Sequence, residues 1–137
     1  MTQTCKDNLR DFGLLWLRVL MGCGIAYHGY GKIFGGGLPG FTQMVTGMGM
    51  PMPHVMAWVA ALSEFAGGIC VALGLFTRAA AFFVFSTMTV AAFIALDSAP
   101  YEKRELALAF WTISSSLVLM GPGRFSLDRL FCRCCKK

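Results

Sequence analysis

Long stretches free of charge constrain this chain more than any other feature. Its charged residues crowd at positions 6–11, at 97–105 and beyond 121, and only Arg18, Lys32, Glu64 and Arg78 fall between. The gaps have the roughly twenty-residue length that a helix needs to cross about 30 Å of hydrocarbon. Four tracts meet or approach it, residues 12–34, 54–76, 79–96 and 106–121, of which the last is the shortest. They predict an all-α membrane protein: a single four-transmembrane-helix bundle over residues 1–137, closing in a short, basic, cysteine-rich tail at 122–137.

A soluble bundle is the alternative, but a helix of such a bundle needs a polar face. Residues 79–96 offer only Ser86, Thr87 and Thr89, and no charge. The chain is 56% hydrophobic and 14% charged, against about 25% charged in an average soluble domain. A net charge of +5 does not point to nucleic acid, because the basic residues flank apolar tracts instead of forming a solvated stripe. They read as orientation signals. Lys6 and Arg10 precede the first tract, Arg78 separates the second and third, and five Lys or Arg residues follow the fourth. Both termini are therefore expected in the cytoplasm, with the lipid bilayer as the principal partner. The 97–105 segment, with two basic and three acidic residues, and Lys32 fall on the outer side. A cleaved signal peptide competes for the first tract, but Arg18 interrupts its apolar run and no clean small-residue cleavage site follows.

Breaks between the tracts carry turn chemistry. Gly35, Gly36, Gly37, Pro39 and Gly40 disfavour a helix, Pro51 and Pro53 precede the second tract, and Pro100 and Gly121-Pro122-Gly123 mark the later ends. The uncharged segment 35–53, with Phe41, Met44, Met48, Met50 and Met52, is expected to be a loop on or dipping into the bilayer surface.

Ionisable groups inside a bilayer cost at least about 2.5–3.5 kcal/mol, and each needs a partner or a task. Here they are Arg18, His28, Lys32 and Glu64. At 100° per residue, Arg18, Gly22, Ile25, Gly29 and Lys32 share one face, with His28 beside it. Glu64 lies about 15 Å into its tract, and an antiparallel first helix brings Arg18 and His28 within roughly 7–8 Å of that level. Gly67 and Gly68 let the Glu64 face approach another helix closely. Two readings stay open: Arg18, His28 and Glu64 form a buried site for a proton-coupled or redox-active ligand, or Arg18 and Glu64 form a salt bridge that orders the bundle. His28 and His54 are conceivable haem ligands, but a pair of histidines in a membrane protein more often serves at interfaces or in hydrogen bonds.

Six cysteines suggest no disulfide framework, since Cys23 and Cys70 fall inside tracts and Cys132, Cys134 and Cys135 lie in a tail placed in the cytoplasm. Basic neighbours lower the pKa of those tail thiols, which admits soft-metal, exchange or acylation chemistry. Three reduced thiols on a frayed basic terminus is the simpler reading. Phosphate-binding loops, zinc-protease spacing and nucleophile elbows are absent from the sequence.

Several short motifs occur in a characteristic order: Leu17-Arg18-Val19, His28-Gly29-Tyr30-Gly31-Lys32, Glu64-Phe65-Ala66-Gly67-Gly68, Gly74-Leu75-Phe76-Thr77-Arg78-Ala79-Ala80, and Gly121-Pro122-Gly123-Arg124-Phe125-Ser126-Leu127-Asp128. In this order and spacing the chain resembles the DoxX family of small bacterial inner-membrane proteins over roughly residues 14–130. The resemblance implies a four-helix bundle in the inner membrane, tied to quinone- or thiol-linked redox systems such as the membrane part of thiosulfate:quinone oxidoreductase. Carried over by motif are Arg18, His28, Lys32 and Glu64 as ligand-binding candidates, with His28 and Glu64 the candidates for catalysis. Gly67, Gly68, Arg78 and the 121–128 segment are carried over as structural elements. A quinone headgroup between the first two helices is the leading functional reading. The alternatives are a non-enzymatic scaffold for a soluble oxidoreductase partner and a small-solute transporter, the last without the paired broken helices such proteins use.

Overall fold

In the computed structural model, which describes residues 3–134, the chain is all-α. The helices are α1 (Gln3–Ile33), α2 (Leu38–Gly47), α3 (Pro53–Leu73), α4 (Thr77–Val90), α5 (Tyr101–Met120) and α6 (Leu127–Cys134). A π-helical turn, Ala91–Ala95, continues α4. Four long helices thus occupy the apolar tracts. Two of them, α3 and α4 with its π turn, are long and apolar enough to cross a membrane.

Segment 35–53 departs from expectation, because α2 replaces the anticipated loop. The glycine cluster stops α1 and leaves Pro39 in the first turn of α2, where a missing N–H costs nothing. Thr42 and Val45, three residues apart, bury one side of α2. Other boundaries follow the turn residues. Pro53 opens α3, and Gly74 closes it in the left-handed conformation at φ 72° with the Leu75 N–H donating to the Cys70 carbonyl at 2.8 Å.

The core is built from two helix pairs, α1 on α3 and α4 on α5, joined by α3 on α4. Glycine sets the first pairing. A Cβ placed on Gly22 would lie 2.6 Å from the Gly68 carbonyl oxygen, and one on Gly29 2.7 Å from the Phe65 Cα. Only a missing side chain permits this approach. Ile25, Met21 and Val71 fill the seam, while Val84, Met88, Ala92, Ala107 and Leu117 belong to the core around α4 and α5. The Trp111 Nε1–H donates to Thr89 Oγ1 at 3.0 Å between those two helices. Large apolar side chains such as Trp16, Phe82, Phe83, Leu106 and Leu119 point outward from α1, α4 and α5.

One end of the bundle is tied by the segment after α5. The Arg124 N–H donates to Asp11 Oδ1 at 3.1 Å. Asp128 accepts from the Phe76 and Thr77 amides at 2.6 and 2.9 Å, supplying the anion that the start of α4 favours. The Asp128 N–H in turn donates to the Gly74 carbonyl at 2.9 Å. Of the tail cysteines, Cys135 lies outside the described residues, and the expectation about the thiols of Cys132 and Cys134 falls outside the described side chains.

Candidate functional site

Lys32 and Glu64 meet at the opposite end. Lys32 stands in the last turn of α1, where the helix carbonyls favour a cation, and its Nζ lies 2.6 and 2.7 Å from the two oxygens of Glu64. Glu64 is 2% exposed and the Lys32 side chain 24%. The ammonium also sits 4.0 Å from the centroid of the Phe41 ring on α2, a cation–π contact. Among the described residues Glu64 therefore has a single partner, itself held from two sides.

Of the charged residues singled out in the sequence, the structure brings His28, Lys32 and Glu64 together and leaves Arg18 at the other end. The cause is the stagger of α1 on α3. Gly22 lies against Ala72 and Gly29 against Phe65, which makes Glu64 level with Tyr30. Lys32 and His28 are then each two residues from that level, about 3 Å, whereas Arg18 is twelve residues away, about 18 Å. Glu64 pairs with Lys32 and not with Arg18. Arg18 is fully buried and donates through Nη2 to the Phe125 carbonyl, with its guanidinium where a Cβ on Gly74 would sit. It holds the 121–128 segment onto the bundle. Arg78 is exposed and lies beside Gly121 at the end of α5. Gly67 faces Val84 of α4 and Gly68 faces α1, so both are crossing-point glycines.

The ion pair forms a wall between two cavities. The smaller, about 160 Å³, is lined by Ile25, His28, Met88, Lys103, Leu106 and Phe110 among others. His28 is exposed and meets the Phe110 ring edge-on, with centroids 6.0 Å apart. The larger cavity, about 420 Å³, is lined by Phe41, Met44, Val45, Met48 and Met50 on one side and by Met56, Val59, Ser86, Thr87 and Val90 on the other. Lys32, Glu64, Ala91 and Leu96 line both. Ala91 opens the π turn, and such turns widen a helix and recur at functional sites. The Ser86 and Thr87 hydroxyls donate to carbonyls one turn back, at 2.9 and 3.0 Å, and their lone pairs stay able to accept. The larger chamber is thus apolar and methionine-rich, with one ion pair and two hydroxyls as its polar groups.

Sequence reasoning missed α2, the π turn and Lys103 as parts of this region. The methionine run of 44–52, which in the sequence reads as a segment on the bilayer surface, is the signal for the chamber wall. His54, exposed at the start of α3, lines neither cavity.

Comparison with known proteins agrees with the ordered motifs. The DoxX family profile matches residues 13–97. A protein of Escherichia coli (strain K12), named inner membrane protein YqjF, is 34% identical over 129 residues, which cover 90% of this chain and 95% of that protein. No solved structure matches the chain.

Proposed function

The chain belongs to the DoxX family, and from that premise we propose a four-span inner membrane protein that holds a quinone-type headgroup against the Lys32–Glu64 pair, as the membrane subunit of a redox system. The observation that carries this reading is the buried ion pair set into the wall of an apolar chamber. An isolated surface pair gains little, and a buried one is expensive unless it has a task. The four-span reading draws on the apolar outer faces of the long helices and on the basic residues gathered at one end.

The residues present fit such a group. A chamber of about 420 Å³ is within the usual range for small-ligand sites, roughly 300–1,000 Å³. Its methionines and Phe41 offer adaptable contacts to a flat ring. A quinone, when bound, supplies a carrier of two electrons and two protons. Lys32 has three donor hydrogens, and two Glu64 oxygens cannot use them all, which leaves a donor for a carbonyl oxygen. Glu64 is the acid beside it, able to accept or return a proton at its carboxylate. His28, across the shared wall and exposed, is a relay between Glu64 and the outer aqueous side.

The test is chemical. Protein purified in detergent is extracted with solvent, and the extract is analysed by mass spectrometry for quinones. We expect a quinone to co-purify, and added ubiquinone-1 to raise the melting temperature of the wild type but not of Glu64→Gln. A chain that carries no quinone and is not stabilised by ubiquinone-1 would sink the proposal.

A further inference from the structure

A third cavity, polar and separate from the ion pair, opens at the other end of the bundle. Its volume is about 200 Å³ and its lining is Arg124, Ser126, Arg129 and Leu130. The Arg124 guanidinium is approached from two sides, with Nε 3.7 Å from Asp11 Oδ2 and Nη1 3.4 Å from Asn8 Oδ1. Asp11 thereby aims the rest of Arg124 instead of leaving it to wander in solvent. Arg129, among the described residues, makes no side-chain hydrogen bond or ion pair. The Ser126 hydroxyl donates to the Gly123 carbonyl at 3.0 Å and can accept but has no donor to spare. Two of the three acids of this end are engaged, since Asp11 binds Arg124 and Asp128 binds the amides of Phe76 and Thr77, and Asp7 does not line the cavity. The cavity has a surplus of guanidinium and suits an oxyanion.

Its surroundings identify the source. Phe12, Phe125, Leu130 and Phe131 are each more than half exposed around these arginines. On α6, Leu127, Leu130 and Phe131 fall within an arc of about 100°, and Asp128 and Arg129 fall outside it. A helix with one such apolar arc lies in the plane of a membrane interface with its arginines at headgroup level. We propose that Arg124 and Arg129 bind the phosphate of an anionic phospholipid while Leu130 and Phe131 enter its acyl region. The site rests on the four-span reading, which puts this end at the membrane surface.

Full-length protein in detergent is mixed with phosphatidylglycerol, with phosphatidylcholine, or with millimolar inorganic phosphate, and bound lipid is counted by native mass spectrometry alongside melting temperature. Phosphatidylglycerol adducts should outnumber phosphatidylcholine adducts, and Arg129→Gln should weaken phosphatidylglycerol binding about fivefold, the effect of roughly one basic side chain at a membrane surface. Arg124→Gln/Arg129→Gln should remove the preference. Should the Arg124 variant unfold for loss of its Asp11 contact, Arg129→Gln alone decides, because among the described residues its side chain bonds to nothing. Equal binding of the two lipids overturns the site, and stabilisation by inorganic phosphate equal to that by phosphatidylglycerol overturns the lipid as its source. An alkaline carbonate wash of the membranes keeps the two readings apart: protein released by the wash overturns the four-span reading, whereas retained protein without lipid preference overturns only the site.

Discussion

Burying Lys32 and Glu64 side by side costs both charges most of their hydration, and their attraction offsets this only while the two stay together. Replacing one partner therefore does more harm than replacing both. Lys32→Ala leaves a carboxylate at 2% exposure with no counter-charge. We expect it to lower stability by about 3 kcal/mol, the lower end of what breaking buried pairs costs because Lys32 is partly exposed. The double replacement Lys32→Met/Glu64→Leu should return within about 1 kcal/mol of the wild type, read by thermal unfolding in detergent. A double variant as unstable as the single one would mean that the pair, and not the orphaned acid, supplies the stability. That charges would be buried was legible in the sequence, since Arg18, Lys32 and Glu64 interrupt apolar tracts. Which charge meets which was not. Pairing depends on helix stagger, and the stagger depends on which backbone each glycine faces. Gly22, Gly24, Gly29 and Gly31 look alike in the sequence, but only Gly22 and Gly29 lie against the backbone of α3. A shift of a few residues separated Arg18 from Glu64 and delivered Lys32.

The elements were legible in proportion to their length. The four long helices follow from apolar tracts bounded by glycine and proline, whereas α2 is ten residues long and its breakers looked like a loop. The π turn carries no mark in the uncharged run 79–96, because its bond from the Leu96 amide to the Ala91 carbonyl depends on packing against neighbouring elements. The join between α3 and α4 was equally hidden. Phe76 adopts φ 46°, a left-handed conformation unfavourable for a bulky side chain, and its amide is held by Asp128, fifty-two residues on. Asp128 thus does for α4 what an N-cap residue does locally, and at the same time fixes the start of α6. Asp128→Ala should lose about 1–2 kcal/mol, the usual scale for a removed cap. Proteolysis under native conditions should then cut within 121–134 faster than in the wild type. Unchanged unfolding together with unchanged cleavage would show that the Asp128 carboxylate is dispensable to this joint.

At the scale of the whole molecule, the fold brings together what the sequence kept apart. Contacts of Asp11 with Arg124 and of Asp128 with Phe76 and Thr77 put the beginning of α1, the α3–α4 join and the segment after α5 at one end. Among the described side chains that end carries Arg10, Arg78, Arg124 and Arg129, against Asp7, Asp11 and Asp128. At the opposite end Lys32 is spent on Glu64, and Lys103 and Arg104 are balanced by Asp97, Glu102 and Glu105. Short segments rich in Lys and Arg stay on the cytoplasmic side, and only one orientation of this bundle satisfies that bias. Alkaline phosphatase, which folds only where disulfides form, should accordingly be inactive when fused after Lys137 and active when inserted after Ser98. In that proposed orientation the Lys32–Glu64 chamber and His28 would face the outer half of the bilayer and the arginine cavity the inner leaflet. A C-terminal fusion with full phosphatase activity would reverse both assignments at once, and with them the direction in which His28 could pass a proton.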